Sequence, residues 1–311
     1  MKQEQPNFLI LSPCYNEGKV IRLFLEELEK HLQNLDARFE VVIVDDHSTD
    51  NTAEFIHAFR FQAPNITLTH LRLRFNMGHQ EAIRQGLQYV HTLQTPYQGV
   101  IIMDSDGEDN PAAIERLIQL KNQEIVYVER GKRHENIKFR AGYFFYRMLF
   151  LLITGRKISF GNYSMISPNV VNSISGQRFS HYAGFLSKQR FPIHKIKFDR
   201  SPGLAGTSKM NCNSLVIHGL SSLIEYAEEI LLFFLKLFGF LFLGLMCLGV
   251  YILYSKFISK EAISGWASTL GINLLTSLLL LTSTIALGLL LLYIKKMINK
   301  TESNYEIRQR S

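Results

Sequence analysis

The sequence VVIVDDHSTD, residues 41–50, places four β-branched aliphatic residues directly before two aspartates and a polar segment. β-Branched residues favour strands, and an amphipathic helical stretch, residues 52–61, follows. Short apolar runs recur at residues 8–12, 67–71 and 100–103, and a second amphipathic stretch covers residues 18–35. This alternation of strands and helices predicts βαβ units in an α/β domain with a mostly parallel sheet.

Polar and acidic residues follow three of these predicted strands. They are Pro13-Cys14-Tyr15-Asn16-Glu17, Asp45-Asp46-His47-Ser48-Thr49-Asp50 and Asp104-Ser105-Asp106-Gly107-Glu108-Asp109. In parallel sheets ligands bind beyond the carboxyl ends of the strands, so we expect these segments to meet at one edge. Hard cations take oxygen ligands from carboxylates and phosphates together. The pattern predicts Mg²⁺ or Mn²⁺ held between the acidic residues and a diphosphate.

The net charge of +7 and the pI near 9.2 suit nucleic acid, anionic lipid or a phosphorylated substrate. The basic residues flank apolar segments and no nucleic-acid-binding signature occurs, so we predict no nucleic-acid partner. The three cysteines are widely spaced and odd in number, which predicts reduced thiols and neither a disulfide framework nor a zinc site.

Two continuous apolar segments, residues 230–254 and 270–294, have the length and composition of transmembrane helices. The second ends in a cluster of basic residues, Lys295, Lys296, Lys300, Arg308 and Arg310, which marks a cytosolic end. Two spans return the chain to its starting side, and the N-terminus lacks the pattern of a secretory signal. We therefore expect a two-span membrane protein with the first domain and the C-terminus in the cytosol.

Two shorter apolar stretches, residues 143–153 and 215–226, lack the length to span a membrane. We interpret them as interfacial amphipathic helices, and the alternative is that they pack in the core of the first domain. The predicted organisation is a cytosolic domain over residues 1–214 with an interfacial helix near 140–154, an amphipathic helix over 215–229, two spans within 230–294 and a cytosolic basic tail over 295–311.

The motifs PCYNE, VIVDDHSTDNT, RFNMGHQEA and IIMDSDGEDNP occur in the order and spacing typical of glycosyltransferase family 2. Over nearly its whole length the chain resembles the branch of dolichol-phosphate mannose synthases and polyprenyl-phosphate glycosyltransferases. The resemblance implies a GT-A, Rossmann-like catalytic domain. It also implies a nucleotide-sugar donor carrying UDP or GDP, a lipid-phosphate acceptor, and a place in the bacterial inner membrane.

The resemblance also implies roles for individual residues. Those expected to bind the donor are Pro13, Tyr15, Glu17, Val44, Asp46, Asp104 and Ser105. Asp104 and Asp106 would hold the metal and the diphosphate, with Glu108 as a further metal ligand. Arg133 and Lys209 match basic residues that face phosphates in similar enzymes. The expected catalytic residues are Asp106, Asn162, Arg133 and Lys209.

The segment Gly161-Asn162-Tyr163-Ser164 departs from the Gly-Asp-Phe-Arg of many relatives. An amide cannot take a proton, whereas a hydroxyl acceptor needs a general base. A lipid phosphate is already largely ionised, so Asn162 fits such an acceptor. The alternative is another base, for which His181 and His194 are candidates. A basic strip over residues 188–209 could hold a lipid-linked phosphate or anionic headgroups.

The predicted function is inverting transfer of a sugar to a polyprenyl phosphate for surface glycan or glycolipid assembly. Two alternatives stay open, transfer to a sugar hydroxyl of a lipid-linked glycan and a catalytically silent membrane scaffold. A processive polysaccharide synthase is disfavoured, because the single tryptophan, Trp266, does not stand in a Gln-x-x-Arg-Trp motif. The partners include membrane lipids. Gly239, Gly244 and Gly249 would permit helix packing within one chain or between chains, so a homo-oligomer is one alternative.

Overall fold

The structure, a computed structural model, describes residues 6–130, 148, 150–152, 155, 161–199, 225–259, 265–297 and 305–310. The strands are β1 (Asn7–Cys14), β2 (Arg38–Asp45), β3 (Ile66–Leu73), β4 (Gly99–Ile102), β5 (Ile125–Arg130), β6 (Ser164–Ile166), β7 (Ile193–Phe198) and β8 (Tyr305–Arg310). The helices within these residues are α1 (Ile21–Leu32), α2 (Thr52–Ala58), α3 (His79–Thr92), α4 (Ala113–Gln119), α5 (Pro168–Ile174), α6 (Tyr182–Lys188), α7 (Ala227–Phe257) and α8 (Trp266–Met297).

The strands form one sheet in the order β7-β5-β6-β4-β1-β2-β3-β8. The pairs β1/β2, β1/β4, β2/β3 and β5/β7 are parallel, whereas β4/β6, β5/β6 and β3/β8 are antiparallel. The four predicted strands coincide with β1 to β4, and the predicted helical stretches contain α1 and α2. The predicted α/β domain with a mostly parallel sheet is confirmed.

Apolar side chains cover both faces of the sheet, because successive residues of a strand point to opposite faces. Phe8 and Ile10 belong to one core cluster, which α1 and α4 complete. Leu9 and Leu11 belong to the other, which α3 and α5 complete. Helices on both faces explain why the central strands are apolar throughout rather than alternating.

The chain divides into two compact units. The first comprises Met1–Arg140, Ile158–Glu225 and Thr301–Ser311, and the second comprises Ala141–Lys157 and Tyr226–Lys300. Residues 305–310, expected to belong to a separate basic tail, instead form β8, which pairs with β3 at the edge of the first unit's sheet. These residues are therefore part of the sheet of the first unit and do not form a separate tail.

The second unit contains the two long helices, α7 and α8, within which the predicted spans lie. Ala227–Phe257 and Ser268–Leu291 are long and apolar enough to cross a membrane, and the most apolar stretch of each helix is not buried within the protein. The two helices approach each other closely, because a Cβ added at Gly288 would lie 3.1 Å from Leu231 Cδ1. Most of the expected interfacial helices, residues 140–154 and 215–229, lies outside the described residues.

Candidate functional site

Three loops meet at the carboxyl edge of the central strands. Cys14 at the end of β1 pairs with Asp45 at the end of β2, and Leu11 of β1 pairs with Ile102 at the end of β4. The Ser105 hydroxyl donates a hydrogen bond to the Pro13 carbonyl at 2.9 Å, which joins the loop after β4 to the loop after β1. The predicted convergence of the polar segments is therefore present.

Side-chain hydrogen bonds connect the loops after β1 and β2. The Asn16 N–H donates to Ser48 Oγ at 3.0 Å, and Asn16 Oδ1 accepts from the Thr49 N–H at 2.9 Å. The Gly18 N–H donates to Asp50 Oδ2 at 3.1 Å. Asn16 and His47 both have positive φ, 53° and 61°, a conformation that surrounding contacts must hold in non-glycine residues. These bonds make one cradle of the two loops, residues 13–18 and 45–50.

Asp45 is a fully buried carboxylate beneath this cradle. It accepts a hydrogen bond from the Ser48 N–H at 2.8 Å, and its Oδ2 lies 3.7 Å from both His70 Nε2 and Arg72 Nε. Burial by itself raises the pKa of Asp45, but the nearby His70 and the hydrogen bond from Ser48 outweigh burial, so the net pKa is lowered. Asp45 therefore stabilises the loop over residues 45–50 as a charged group. The sequence did not reveal this role.

The thiol of Cys14 lies in the same buried layer. Burial, followed by the negative charges of Asp45 and Glu17, raises its pKa well above the ordinary value for cysteine. A protonated, buried thiol is a poor nucleophile, so Cys14 acts as a packing residue in this layer.

Asp46 connects the cradle to helix α3. Its Oδ1 accepts from the Met77 N–H at 2.7 Å and its Oδ2 from the Gly78 N–H at 2.8 Å. Burial raises the pKa of Asp46, and the two backbone bonds offset only part of this rise. The carboxylate thus fixes the first residue of α3, His79, against the cradle.

The acidic loop after β4 is held by bonds within itself. The Asp104 N–H donates to Asp109 Oδ2 at 2.9 Å, and the Glu108 N–H donates to Asp106 Oδ1 at 2.8 Å. Gly107 has a φ of +78°, which lets the chain reverse between the two acids. Asp104, Asp106 and Glu108 are all partly exposed, although Asp104 Oδ1 is itself buried, so each of the three side chains has surface open to a ligand.

His79 lies between the acidic loop and Asn162, and the sequence analysis assigned it no role. Its Nε2 is 3.3 Å from Asp104 Oδ1 and 2.9 Å from Asn162 Nδ2. Burial by itself lowers the pKa of His79, but its contact with Asp104 and the charges of Asp104, Asp106 and Asp46 raise it by more. The available signal was the Gly-His pair in RFNMGHQEA, because glycine commonly precedes a helix start.

The acidic loop suits a cation that arrives with its substrate. Among the described residues, no group of three or more His, Cys, Asp or Glu side chains surrounds a common point. Mg²⁺ typically takes only one or two protein carboxylates and completes its shell with substrate phosphates and water. The carboxylates of Asp104 and Asp106 fit this kind of site, in which a diphosphate supplies the remaining ligands.

Some of the residues predicted to bind the donor have exposed side chains, and others have buried side chains. Tyr15 is 44 % exposed and Glu17 is partly exposed, so both side chains can contact a ligand. The side chain of Val44 is fully buried in the core, and those of Pro13 and Ser105 are also buried. The side chains of these three residues are enclosed by protein, so any contact with the donor would come from their main chain, and their donor role stays a prediction.

The predicted basic residues and alternative bases have different outcomes. Arg133 and Lys209 lie outside the described residues. His181 caps helix α6, since its Nδ1 accepts from the Gly184 N–H at 3.1 Å, which gives it a structural role. His194 is exposed on β7, and Lys195 beside it forms an ion pair with Glu129 at 3.0 Å. Neither histidine is among the residues that meet at the carboxyl edge.

The fold and the site define a class: a GT-A domain with the cradle and the acidic loop at the carboxyl edge of the sheet. The sequence model of Glycosyl transferase family 2 matches residues 9–206, so the chain belongs to that family. It is a glycosyltransferase, as the resemblance of its motifs indicated.

Relatives of known sequence agree with this assignment. The chain is 24 % identical over 278 residues to "Uncharacterized glycosyltransferase YkcC" of Bacillus subtilis, covering 87 % of this chain and 84 % of the relative. It is 31 % identical over 131 residues to the undecaprenyl-phosphate 4-deoxy-4-formamido-L-arabinose transferase of Pseudomonas syringae, covering 41 % of this chain and 36 % of the relative.

A solved structure shares the fold. Glucosyl-3-phosphoglycerate synthase from Mycobacterium tuberculosis, in complex with Mn²⁺, UDP-glucose and phosphoglyceric acid, matches with a TM-score of 0.51 at 14 % identity. The match covers 74 % of this chain and 81 % of that structure. At this identity the similarity supports the GT-A fold alone.

Proposed function

We propose that this glycosyltransferase transfers a sugar from a UDP- or GDP-sugar to a polyprenyl phosphate, with inversion, at the cytosolic face of a membrane. One observation carries the proposal. The acidic loop, residues 104–109, meets the donor cradle at one sheet edge in a chain that also has two exposed apolar helices. A nucleotide-sugar site and a membrane anchor in one chain suit an acceptor that is itself a lipid.

The donor would lie across the cradle with its diphosphate toward the acidic loop. The ring of Tyr15 offers an exposed apolar face for the base. Asp104 and Asp106 would hold Mg²⁺ or Mn²⁺. That cation would supply neutralisation of the charge that develops on the departing diphosphate. Arg133 and Lys209 remain proposed phosphate ligands.

The acceptor proposal rests on the chemistry of Asn162. Its side-chain amide contacts His79 beside Asp104, and an amide can orient an acceptor oxygen but cannot remove its proton. A phosphate acceptor needs no proton removed at neutral pH, since its second pKa is near 6. The named activity of the undecaprenyl-phosphate relative is consistent with this class of acceptor.

The membrane proposal gains support from β8. Tyr305–Arg310 pairs with β3, so the chain after α8 belongs to the same sheet as the chain before α7. Both ends must then lie on the same side of a membrane, which requires an even number of crossings between them. Two crossings, by α7 and α8, meet this condition. Side chains such as Phe240, 75 % exposed, would be covered by lipid.

Transfer of radiolabelled sugar in detergent tests the proposal. A panel of UDP- and GDP-sugars is offered with polyprenyl phosphate and either Mn²⁺ or Mg²⁺. Wild-type protein should give a metal-dependent lipid product, and Asp106→Asn should lose it. Glu115→Gln is the matched control, because it removes an exposed carboxylate on α4 that lies outside the acidic loop. This control should keep full activity.

The other outcomes separate the alternatives. Turnover of the donor without a lipid product would indicate a hydroxyl acceptor on a lipid-linked glycan. Absence of donor binding in the wild-type protein would contradict the enzymatic proposal and favour a silent scaffold. For the topology, a peptide tag placed after Ser311 should be accessible to antibody only in membrane vesicles whose cytosolic face points outward.

A further inference from the structure

The imidazole of His79 contacts two side chains through the same nitrogen. Nε2 lies 3.3 Å from Asp104 Oδ1, on the acidic loop, and 2.9 Å from Asn162 Nδ2, just before β6. The side chain is 38 % exposed and so borders the open part of the site. His79 therefore stands between the proposed metal ligand and the residue proposed to face the acceptor.

The position of His79 is fixed by contacts on its N-terminal side. The carboxylate of Asp46 accepts from the N–H groups of Met77 and Gly78, the two residues before it. Gly78 has φ +89° and ψ 155°, a combination that is essentially restricted to glycine, and it directs the chain into α3. The donor cradle thus determines where the imidazole lies.

The shared nitrogen limits how the three groups bond. A carboxylate is an acceptor only, so Asp104 requires an N–H at Nε2. If Nε2 carries a hydrogen, the Asn162 side chain must turn its carbonyl oxygen toward the ring as an acceptor. If Nε2 carries no hydrogen, Asn162 donates to it through the amide nitrogen, and Asp104 has no donor on the ring. The 3.3 Å contact between His79 Nε2 and Asp104 Oδ1 restricts the directions that the carboxylate can take.

We propose that His79 is a positioning residue that holds the Asp104 carboxylate in the direction of the donor diphosphate and connects it to Asn162. The inference rests on the proposed transferase function and extends it to a residue outside the predicted site. Groups that orient a metal ligand through a hydrogen bond typically change metal affinity by about 10- to 100-fold when removed. Loss of the imidazole should therefore weaken binding of the cation with the nucleotide.

Mn²⁺ binding to the full chain in detergent, without acceptor, tests the role of His79. Free Mn²⁺ is measured by electron paramagnetic resonance in the presence of UDP or GDP. His79→Leu should weaken nucleotide-dependent Mn²⁺ binding by about tenfold. His79→Gln should recover most of it, because the glutamine amide offers an N–H near the place of Nε2.

His91→Leu is a matched control on the same helix. His91 contacts an asparagine through its ring, since its Nδ1 lies 3.1 Å from Asn172 Oδ1, but this pair is at the other end of α3 and both residues are exposed. The variant should bind Mn²⁺ and nucleotide as the wild-type protein does. All variants should keep the wild-type melting temperature within a few degrees.

Three results would overturn the inference. Equal Mn²⁺ binding by His79→Leu and the wild-type protein would show that the imidazole does not position Asp104. Equally weak binding by the leucine and glutamine variants, with lowered melting temperatures, would assign His79 a structural role instead. Absence of nucleotide-dependent Mn²⁺ binding in the wild-type protein would overturn the metal site of the proposed function as well, which distinguishes that failure from the first two.

Discussion

The carboxylate of Asp46 accepts a hydrogen bond of 2.8 Å from the main-chain N–H of Gly78, 32 residues later in the chain. This bond joins the loop after β2 to the start of α3, across the carboxyl edge of the sheet. Because His79 follows Gly78 directly, the bond connects the donor cradle with the residue that contacts Asp104. Changes on either side of it should affect donor binding more than overall stability.

Gly78→Ala should impair binding through the backbone alone. A Cβ at Gly78 would meet no atom within 4 Å, but its φ of +89° strains any L-residue, at a cost of about 1–3 kcal/mol. Relief of that strain would shift His79 and the main-chain N–H of residue 78, which donates a hydrogen bond to Asp46. We expect a melting temperature a few degrees lower and a larger fractional loss of transfer activity.

The matched control for this substitution is Gly176→Ala. Gly176 also has open space around the added Cβ, and its φ lies outside the strained range. Stability and activity of this variant should equal those of the wild-type protein. If both alanine variants behaved alike, backbone strain at Gly78 would not be the cause.

Asp46→Asn should weaken nucleotide binding. In the aspartate, each carboxylate oxygen accepts one backbone N–H, from Met77 and from Gly78. The asparagine keeps one acceptor oxygen and places its NH₂, a donor, against the other N–H, so one of the two bonds is lost. A loss of about 1.4 kcal/mol corresponds to a tenfold weaker affinity for UDP or GDP, measurable by calorimetry. Glu54→Gln, which changes an exposed acid on α2, should leave the affinity unchanged. An unaltered affinity in Asp46→Asn would contradict the proposed role.

Asp45 predicts a pH-dependent stability. Its folded pKa is lowered, so its stabilising contribution is complete above the ordinary aspartate value of about 3.9 and is lost as the pH falls through the folded pKa. Asp45→Asn should reduce stability by about 2 kcal/mol at neutral pH, because it removes a buried charge facing Arg72. Thermal melts between pH 7 and pH 3 should show the two proteins converging below pH 4. A constant difference over this range would argue against a charged Asp45.

The sequence predicted the parts of the fold that local patterns encode. Strands β1 to β4 appear as β-branched or apolar runs, and the acidic residues that follow them lie at one sheet edge as expected. It did not predict β8, because four of the six residues in 305–310 are charged or carry an amide and their pairing partner, β3, lies more than 230 residues earlier. The local pattern of β3 predicts a strand, but it does not indicate which distant segment pairs with that strand.

The sequence also did not reveal which side chains of the site would be buried. Val44 and Asp46 are two residues apart, and the family motif suggested donor contact for both. The structure encloses Val44 in the core and bonds Asp46 to the backbone before α3. His79 was missed for a related reason, because its contact with Asp104 depends on the turn at Gly78 and on that long-range bond.

Tyr305 provides the last prediction, on the role of β8. Its ring meets that of Tyr89 on α3 edge to face, with ring centroids 6.0 Å apart, and it pairs with Leu73 at the end of β3. Burial raises its pKa, partly offset by its bond to Thr92, so the hydroxyl stays protonated over the working pH range. Tyr305→Ala should destabilise the domain by about 1–2 kcal/mol.

The loss should extend to the donor site, because β3 also carries Arg72, which lies opposite Glu306 in the β3/β8 pairing. The Arg72 side chain donates a hydrogen bond to the Ser48 carbonyl, in the cradle, at 3.1 Å. Thermal melts and nucleotide titration of Tyr305→Ala should therefore both change. Ile307→Ala is the control on the same strand, since that side chain is 53 % exposed, and it should change neither measurement. Equal effects of the two substitutions would mean that β8 stabilises the sheet through its backbone alone, and no effect of either would mean that the donor site does not depend on this strand's side chains.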